Sequence, residues 1–334
     1  MNALIEIKEL TIGYHNKKAN KIVHEGINAK LFSGELTCLL GPNGAGKSTL
    51  LRTLCGFQKA LTGEVFIDGI SLKDMSNEDL SKMISVVLTD KVNIQNITVE
   101  ELVSYGRSPY TGFFGRLSKD DKKLITEALD MVGISSMKER KVQNLSDGER
   151  QKVMIAKALV QDTPVIFLDE PAAFLDLPSK LDLMLLLHRL SSETGKLIFI
   201  VTHDLDLAIQ TADKIWLMAN DKPLEIGVPE DLIIQDRFDG FFNSDGIFFD
   251  KKIGLFRIKN VHYKQVNVKG EVYQADLLRR ALSRNGIEAV TDVKTEIFIE
   301  VISKGPFTKF IVQYSDTKRE FATVEFVISC LKAI

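Results

Sequence analysis

The stretch GPNGAGKST at 41–49 constrains this chain more than any other. It fills the phosphate-loop template G-x-x-x-x-G-K-[ST] with Gly41, Gly46, Lys47 and Ser48. The apolar run ELTCLL precedes it and STLLRTLC follows, which predicts a strand, a tight glycine-rich turn and a helix in that order. Such a turn lets the backbone approach phosphate closely and aims its N–H groups, with the positive end of the helix, at one point. Lys47 is then placed to bridge the β- and γ-phosphates, and the Ser48 hydroxyl to complete a Mg2+ shell. Pro42, Asn43, Gly44, Ala45 and Thr49 complete the cradle.

Over residues 1–235, short β-branched and apolar runs alternate with helical-period segments, the pattern of an α/β domain on a largely parallel sheet. Strands are expected at Glu35–Leu40, Glu64–Asp68, Ser85–Leu88, Val165–Leu168, Leu197–Val201 and Lys214–Ala219. Between about 90 and 161 the alternation stops. Thr98–Arg107, Lys119–Met131 and Gly148–Gln161 all read as helix, so an inserted helical subdomain is expected there. Beyond Phe238 an aromatic-rich connection (Phe241, Phe242, Phe248, Phe249) leads into a segment that reads strand, helix, strand, strand, helix. ADLLRRALSRNG is its amphipathic helix, stopped by Gly286, and a last helix is expected over Arg319–Lys332. The expected division is 1–240 and 255–334, the latter a small α/β domain that reinforces a dimer or regulates.

At 334 residues there is room for both. A hydrophobic content of 45% with 26% charged residues excludes a disordered chain. The net charge of −2 supplies no pull toward nucleic acid. Cys38, Cys55 and Cys330 form no CxxC pair or metal spacing and read as reduced core thiols. Glu6 and Glu9 interrupt what would be the apolar stretch of a signal peptide, and no run reaches the ~18–20 apolar residues of a membrane span. Membrane work is therefore expected to go through a partner.

VIFLDE at 165–170 is an apolar strand ending in two carboxylates. Successive strand side chains face opposite sides, so the two can serve separate tasks: Asp169 in the Mg2+ shell, Glu170 in activating the attacking water. NLSDGERQK at 144–152 reads locally as a polar cap on a helix.

With the two earlier motifs, in this order, LSDGE resembles the signature of the ATP-binding cassette (ABC) family, and the resemblance covers roughly residues 3–235. It implies a P-loop NTPase cassette, a mixed sheet core with an inserted helical subdomain, that binds ATP and Mg2+ and hydrolyses ATP. It implies that Ser146 and Gly148 close over the γ-phosphate held by a second copy of the chain, in an ATP-sandwich homodimer. His203, in IFIVTHD, matches the switch histidine that reaches the γ-phosphate. Asp176, in AFLDL, matches the aspartate linking the two sites, and Tyr14, in LTIGY, the aromatic that stacks on adenine.

Two positions depart from the family pattern. Thr89 and Asp90 stand where the family has a glutamine that reaches the metal and the transport partner, leaving only the Thr89 hydroxyl for a metal-bound water. Asp147 stands where glycine is commoner, and repulsion from phosphate would weaken closure unless it turns outward or meets a cation.

VEELVSYGRSPYTGFFGRLSKDD at 99–121 resembles the helical-subdomain sequence of importers for ferric siderophores, haem and cobalamin. That implies permease subunits, an extracytoplasmic substrate-binding protein and a place on the cytoplasmic face of the inner or plasma membrane. The same catalytic motifs would serve an exporter, so direction rests on this stretch. A soluble ABC protein acting on ribosomes or DNA would carry two cassettes or a long coiled-coil insertion, and neither is seen in the sequence.

Overall fold

A computed structural model describes residues 3–16, 19–88, 96–112, 114–238, 241, 246–250, 255–270, 273–291, 293–304 and 307–334. By its internal contacts the chain divides into two units: 1–243 with 249–255, and 244–248 with 256–334.

In the first unit, β3 (Leu36–Leu40), β6 (Ile84–Val87), β7 (Val165–Asp169), β8 (Leu197–Val201), β9 (Lys214–Leu217) and β10 (Glu225–Gly227) form one sheet in the order β10-β9-β3-β8-β7-β6. Only β10 runs antiparallel to its neighbour. Every residue of β3 and β8 is buried, because a parallel sheet covered on both faces has no polar side to alternate with. Phe199 packs edge-on against Phe167 at 5.5 Å and Trp216 at 5.2 Å between ring centres, favourable geometry for aromatic rings. This order sets the carboxyl ends of β3, β8 and β7 side by side, the place where open α/β sheets bind ligands.

A second sheet contains β1 (Ile5–Tyr14), β2 (Lys21–Leu31), β4 (Thr62–Ile67) and β5 (Ile70–Ser71), in the antiparallel order β2-β1-β4-β5. Neither β1 nor β2 is among the strands expected from the sequence. Register shifts between Ile7 and Leu10, Leu10 and Ile12, and Ile12 and Gly13 break the alternation of β1, and Glu9 adopts φ +44°.

Helices α1 (Lys47–Leu54) and α2 (Asn77–Met83) complete this part of the chain before β6. α3 (Val99–Ser104), α4 (Lys119–Met131) and α5 (Asp147–Val160) form the helical insertion. α3 stops three residues before the expected Arg107 and gives way to a tight 3-10 turn at Tyr105–Tyr110. A Cβ on Gly106 would lie 2.3 Å from the carbonyl oxygen of Lys157, so this turn presses its bare backbone onto α5. Beyond β7 come α6 (Leu177–Thr194), α7 (Leu205–Thr211) and α8 (Pro229–Ile234), and β11 (Ile247–Asp250) pairs with β12 (Leu255–Ile258).

The second unit holds β13 (Lys264–Lys269), α9 (Tyr273–Arg284), β14 (Ile287–Val290), β15 (Ile297–Lys304), β16 (Phe307–Tyr314), β17 (Thr317–Phe321) and α10 (Val324–Ala333). Its sheet runs β14-β13-β15-β16-β17, with a core that includes Val266, Leu278, Ile299, Val312 and Leu331. It has two strands more than the sequence reading allows. Thr317–Phe321 pairs with β16 through a turn at Ser315 (φ +47°), and the last helix starts five residues later than expected, where Thr323 accepts the Phe326 N–H.

All three cysteines are buried and free. Burial pushes the Cys38 thiol up to about 12. Among the described residues no helix is long and apolar enough to cross a membrane.

Candidate active site

The phosphate loop connects β3 to α1 as expected. A Cβ on Gly41 would stand 1.9 Å from the Met218 carbonyl oxygen, and one on Gly46 (φ +100°) 2.3 Å from Val23 Cγ1, so both positions require glycine. Gly44 (φ +83°) has open space beside it. Pro42, Asn43, Gly44 and Ser48 are exposed while Ala45, Lys47 and Thr49 are buried, so the cradle faces outward from a packed base. Lys47 Nζ donates to the carbonyls of Gly41 at 2.7 Å and Pro42 at 3.1 Å, which folds the ammonium back over the loop. Burial pulls the Lys47 pKa below its ordinary value, opposed by the charges of Glu170 and Asp169. The Tyr14 hydroxyl meets Thr49 Oγ1 at 3.1 Å, with Tyr14 itself half exposed.

Asp169 closes β7, and Glu170 follows in a left-handed turn at φ +50°, its N–H donating to Val201 O of β8 at 2.9 Å. That turn reverses the chain out of the sheet and presents the Glu170 carboxylate to the loop after β8. Glu170 Oε2 lies 2.5 Å from His203 Nδ1. The sequence-predicted phosphate loop, Asp169, Glu170 and His203 thus gather at the ends of adjacent strands.

Sequence reasoning missed one link. Lys180 Nζ reaches Asp204 Oδ2 at 2.9 Å, both partly buried. Asp176 caps α6 by accepting the Ser179 N–H at 3.0 Å, and its bonds with the Ser179 hydroxyl and with that N–H hold its carboxyl below the usual carboxylate range. The Lys180 pair therefore joins the first turn of α6, which carries Asp176, to the residue after His203. No local pattern could have revealed it, since one partner lies on α6 and the other in the loop after β8.

Ser146 caps α5. Its Oγ accepts the Glu149 N–H at 3.2 Å while the Glu149 carboxylate accepts the Ser146 N–H at 2.8 Å, a reciprocal capping box. Gly148 is different from the loop glycines. A Cβ there would meet only Ser179 and Leu175, at 3.8 Å or more, with no phosphate-loop atom among its nearest neighbours. Among the described residues, none of the nearest neighbours requires glycine at 148. Asp147 meets a cation: its Oδ1 lies 3.5 Å from Arg150 Nη1. Because Asp147 is already paired and exposed, Asp147→Gly is expected to leave the steady-state ATPase rate unchanged or raise it by up to about fivefold, the factor equivalent to ~1 kcal/mol. A large loss of turnover would show a specific role for that carboxylate.

Among the described residues no group of three or more His, Cys, Asp or Glu could hold a metal by itself. The Ser48 hydroxyl and Asp169 carboxylate, next to a phosphate cradle, are the sparse all-oxygen donor set that suits Mg2+, which keeps several ligands from phosphate and water. Thr89, expected to contribute, lies outside the described residues, as does Asp90.

Residues 24–173 match the family described as ABC transporter, and residues 263–332 the family described as iron ABC transporter C-terminal domain. An uncharacterized ABC transporter ATP-binding protein of Methanocaldococcus jannaschii is 40% identical over 257 residues, covering 77% of this chain and 87% of that protein. The iron(3+)-hydroxamate import ATP-binding protein FhuC of Bacillus subtilis is 35% identical over 245 residues, covering 73% of this chain and 89% of FhuC. Among solved structures, the ATP-binding cassette MJ0796, dimeric and bound to ADP and Pi after hydrolysis, superposes with a TM-score of 0.58 at 28% identity, covering 67% of this chain and 98% of that one. With its phosphate loop, paired strand-end carboxylates and capped signature helix in the family's order, the chain belongs to the ABC transporter ATP-binding proteins.

Proposed function

We propose that two copies of this chain sandwich ATP and drive import of a metal chelate, such as a ferric siderophore, haem or cobalamin. They would do so through permease subunits at the cytoplasmic face of the inner or plasma membrane, with an extracytoplasmic binding protein delivering the cargo. The observation that carries the catalytic part is the convergence of Lys47, Asp169, Glu170 and His203 at the ends of neighbouring strands.

In this reading Tyr14 leaves Thr49 to stack on adenine, and the backbone N–H groups of 41–49 hold the phosphates. Lys47 trades the carbonyls of Gly41 and Pro42 for phosphate oxygens. Ser48 and Asp169 would hold Mg2+, which would supply positive charge beside the phosphate oxygens. Glu170 accepts the proton of the attacking water, and His203, released from Glu170, donates to the γ-phosphate. Ser146 and Gly148 serve the nucleotide of the other copy, which accounts for a glycine at 148 that packing among the described residues does not need. Asp176 links the two sites, held by its cap and through Lys180. The second unit, about 255–334, is read as reinforcing the dimer.

The import reading is supported by the iron ABC transporter match at 263–332 and by relatives named for iron(3+)-hydroxamate import. Its test is uptake of labelled ferric hydroxamate, haem and cobalamin by cells of the source organism lacking the chain, complemented with wild type or Glu170→Gln. The reading expects one cargo to be restored by wild type only. Unchanged uptake of all three in the deletion strain would overturn it.

A further inference from the structure

Arg107 is a buried cation far along the fold from the phosphate loop, at the opposite end of α5 from Ser146. Its Nε donates to Asp121 Oδ1 at 2.6 Å and its Nη1 to the Val160 carbonyl at 2.9 Å. Its guanidinium lies 4.0 Å from the centre of the Tyr110 ring. Arg107 is 8% exposed and Asp121 7%. Asp121 is also the third residue of α4, where it accepts from the Ser118 N–H at 2.8 Å and the Ser118 hydroxyl at 2.7 Å. One side chain thus joins the start of α4, the turn after α3 and the last carbonyl of α5. The bare Gly106 backbone lies against Lys157 one turn earlier on α5.

A second attachment lies next to it. Gln161 Nε2 donates to the carbonyls of Ser81 at 2.7 Å and Ile84 at 3.0 Å, fastening the end of α5 to α2 and β6. The Arg107 and Gln161 bonds hold the same end of α5 from different neighbours, and together they set the angle at which the helix leaves that end. α5 is about 21 Å long at ~1.5 Å per residue, so a tilt of about 5° at Val160 displaces Ser146 by about 2 Å. A misplacement of about 1 Å in a positioned group is enough to cost ~100-fold in function.

We propose that Arg107 is a positioning residue, which fixes the angle of α5 and thereby places Ser146 and Gly148 against the nucleotide of a second copy. This rests on the composite site proposed above. A lysine cannot substitute, since a single ammonium lacks the planar fork that spans a carboxylate and a carbonyl on different helices.

The test is the monomer–dimer equilibrium of Glu170→Gln with MgATP, measured by analytical ultracentrifugation alongside ATP affinity and thermal unfolding. Arg107→Met alone would strand the Asp121 charge, so the informative variant is Arg107→Met with Asp121→Asn, which removes both charges and still accepts from Ser118. Arg107→Lys, which keeps the charge opposite Asp121, is the second. With folding verified by the unfolding transition, ATP affinity should stay within about twofold while the dimer Kd rises at least tenfold in the double variant and about threefold or more in Arg107→Lys. Parent-like dimerisation in either folded variant overturns the proposal and reduces Arg107 to a packing group. A Glu170→Gln parent that binds ATP yet stays monomeric overturns the composite site itself, and the positioning role with it.

Discussion

Glu170→Gln is expected to lower ATP turnover by about 10²–10⁴-fold, the usual worth of a positioned general base, while leaving ATP bound. Glutamine keeps the size of the side chain and its reach to His203, but it cannot accept a proton from water. The phosphate cradle is untouched, because its contacts come from the 41–49 backbone and Lys47. Removing one negative charge near the γ-phosphate also removes repulsion, so ATP affinity should hold or rise. If two copies sandwich ATP as proposed, uncleaved ATP keeps them together, and the variant should accumulate as a dimer with MgATP. Steady-state phosphate release and sedimentation read these two effects separately. Near-normal turnover would remove Glu170 from the chemistry.

Lys47→Ala has the second large effect, on binding rather than on the bond-breaking step alone. The ammonium is buried, feels the carboxylates of Asp169 and Glu170, and donates to the carbonyls of Gly41 and Pro42. A charge-assisted contact to phosphate is worth about 1.5–3 kcal/mol, so ATP affinity should fall by roughly 10- to 100-fold, and hydrolysis further, since charge develops on the leaving oxygen between the β- and γ-phosphates during transfer. Titration with a fluorescent ATP analogue checks the first figure. Unaltered affinity would place the phosphates elsewhere.

The parts of this site that were legible in the sequence are those built from consecutive residues. GPNGAGKST is one turn, VIFLDE one strand end, and the Ser146–Glu149 capping box a single helix start, so short-range pattern reads them directly. What the sequence could not display depends on the sheet order. The Glu170–His203 contact exists because β7 and β8 are neighbours, and the left-handed turn at Glu170 has no glycine to announce it. The Lys180–Asp204 pair and the Arg107–Asp121–Val160 junction join residues on separate elements of the chain.

The fold follows the same division. Buried parallel strands such as LIFIV stand out as apolar runs, and their expected bounds differ from the observed ones by a residue or two at most sites. β1 escaped because bulges interrupt its alternation, and β17 because TKREF reads as a charged helix start until its pairing with β16 is known. Asp147 shows the opposite outcome. The sequence raised a repulsion, and packing of the first turn of α5 answered it with Arg150.

The central claim is that one ATP site is assembled from the phosphate loop of one copy and the signature of another. It is tested most directly by mixing two inactive variants, Lys47→Ala and Ser146→Arg, and measuring MgATP hydrolysis against wild type. Each mixed dimer would hold one site with an intact phosphate loop and an intact signature, so the mixture should recover activity that neither variant has alone. A mixture as inactive as its components, under conditions where wild type turns over, would contradict the claim and confine the reaction to a single chain.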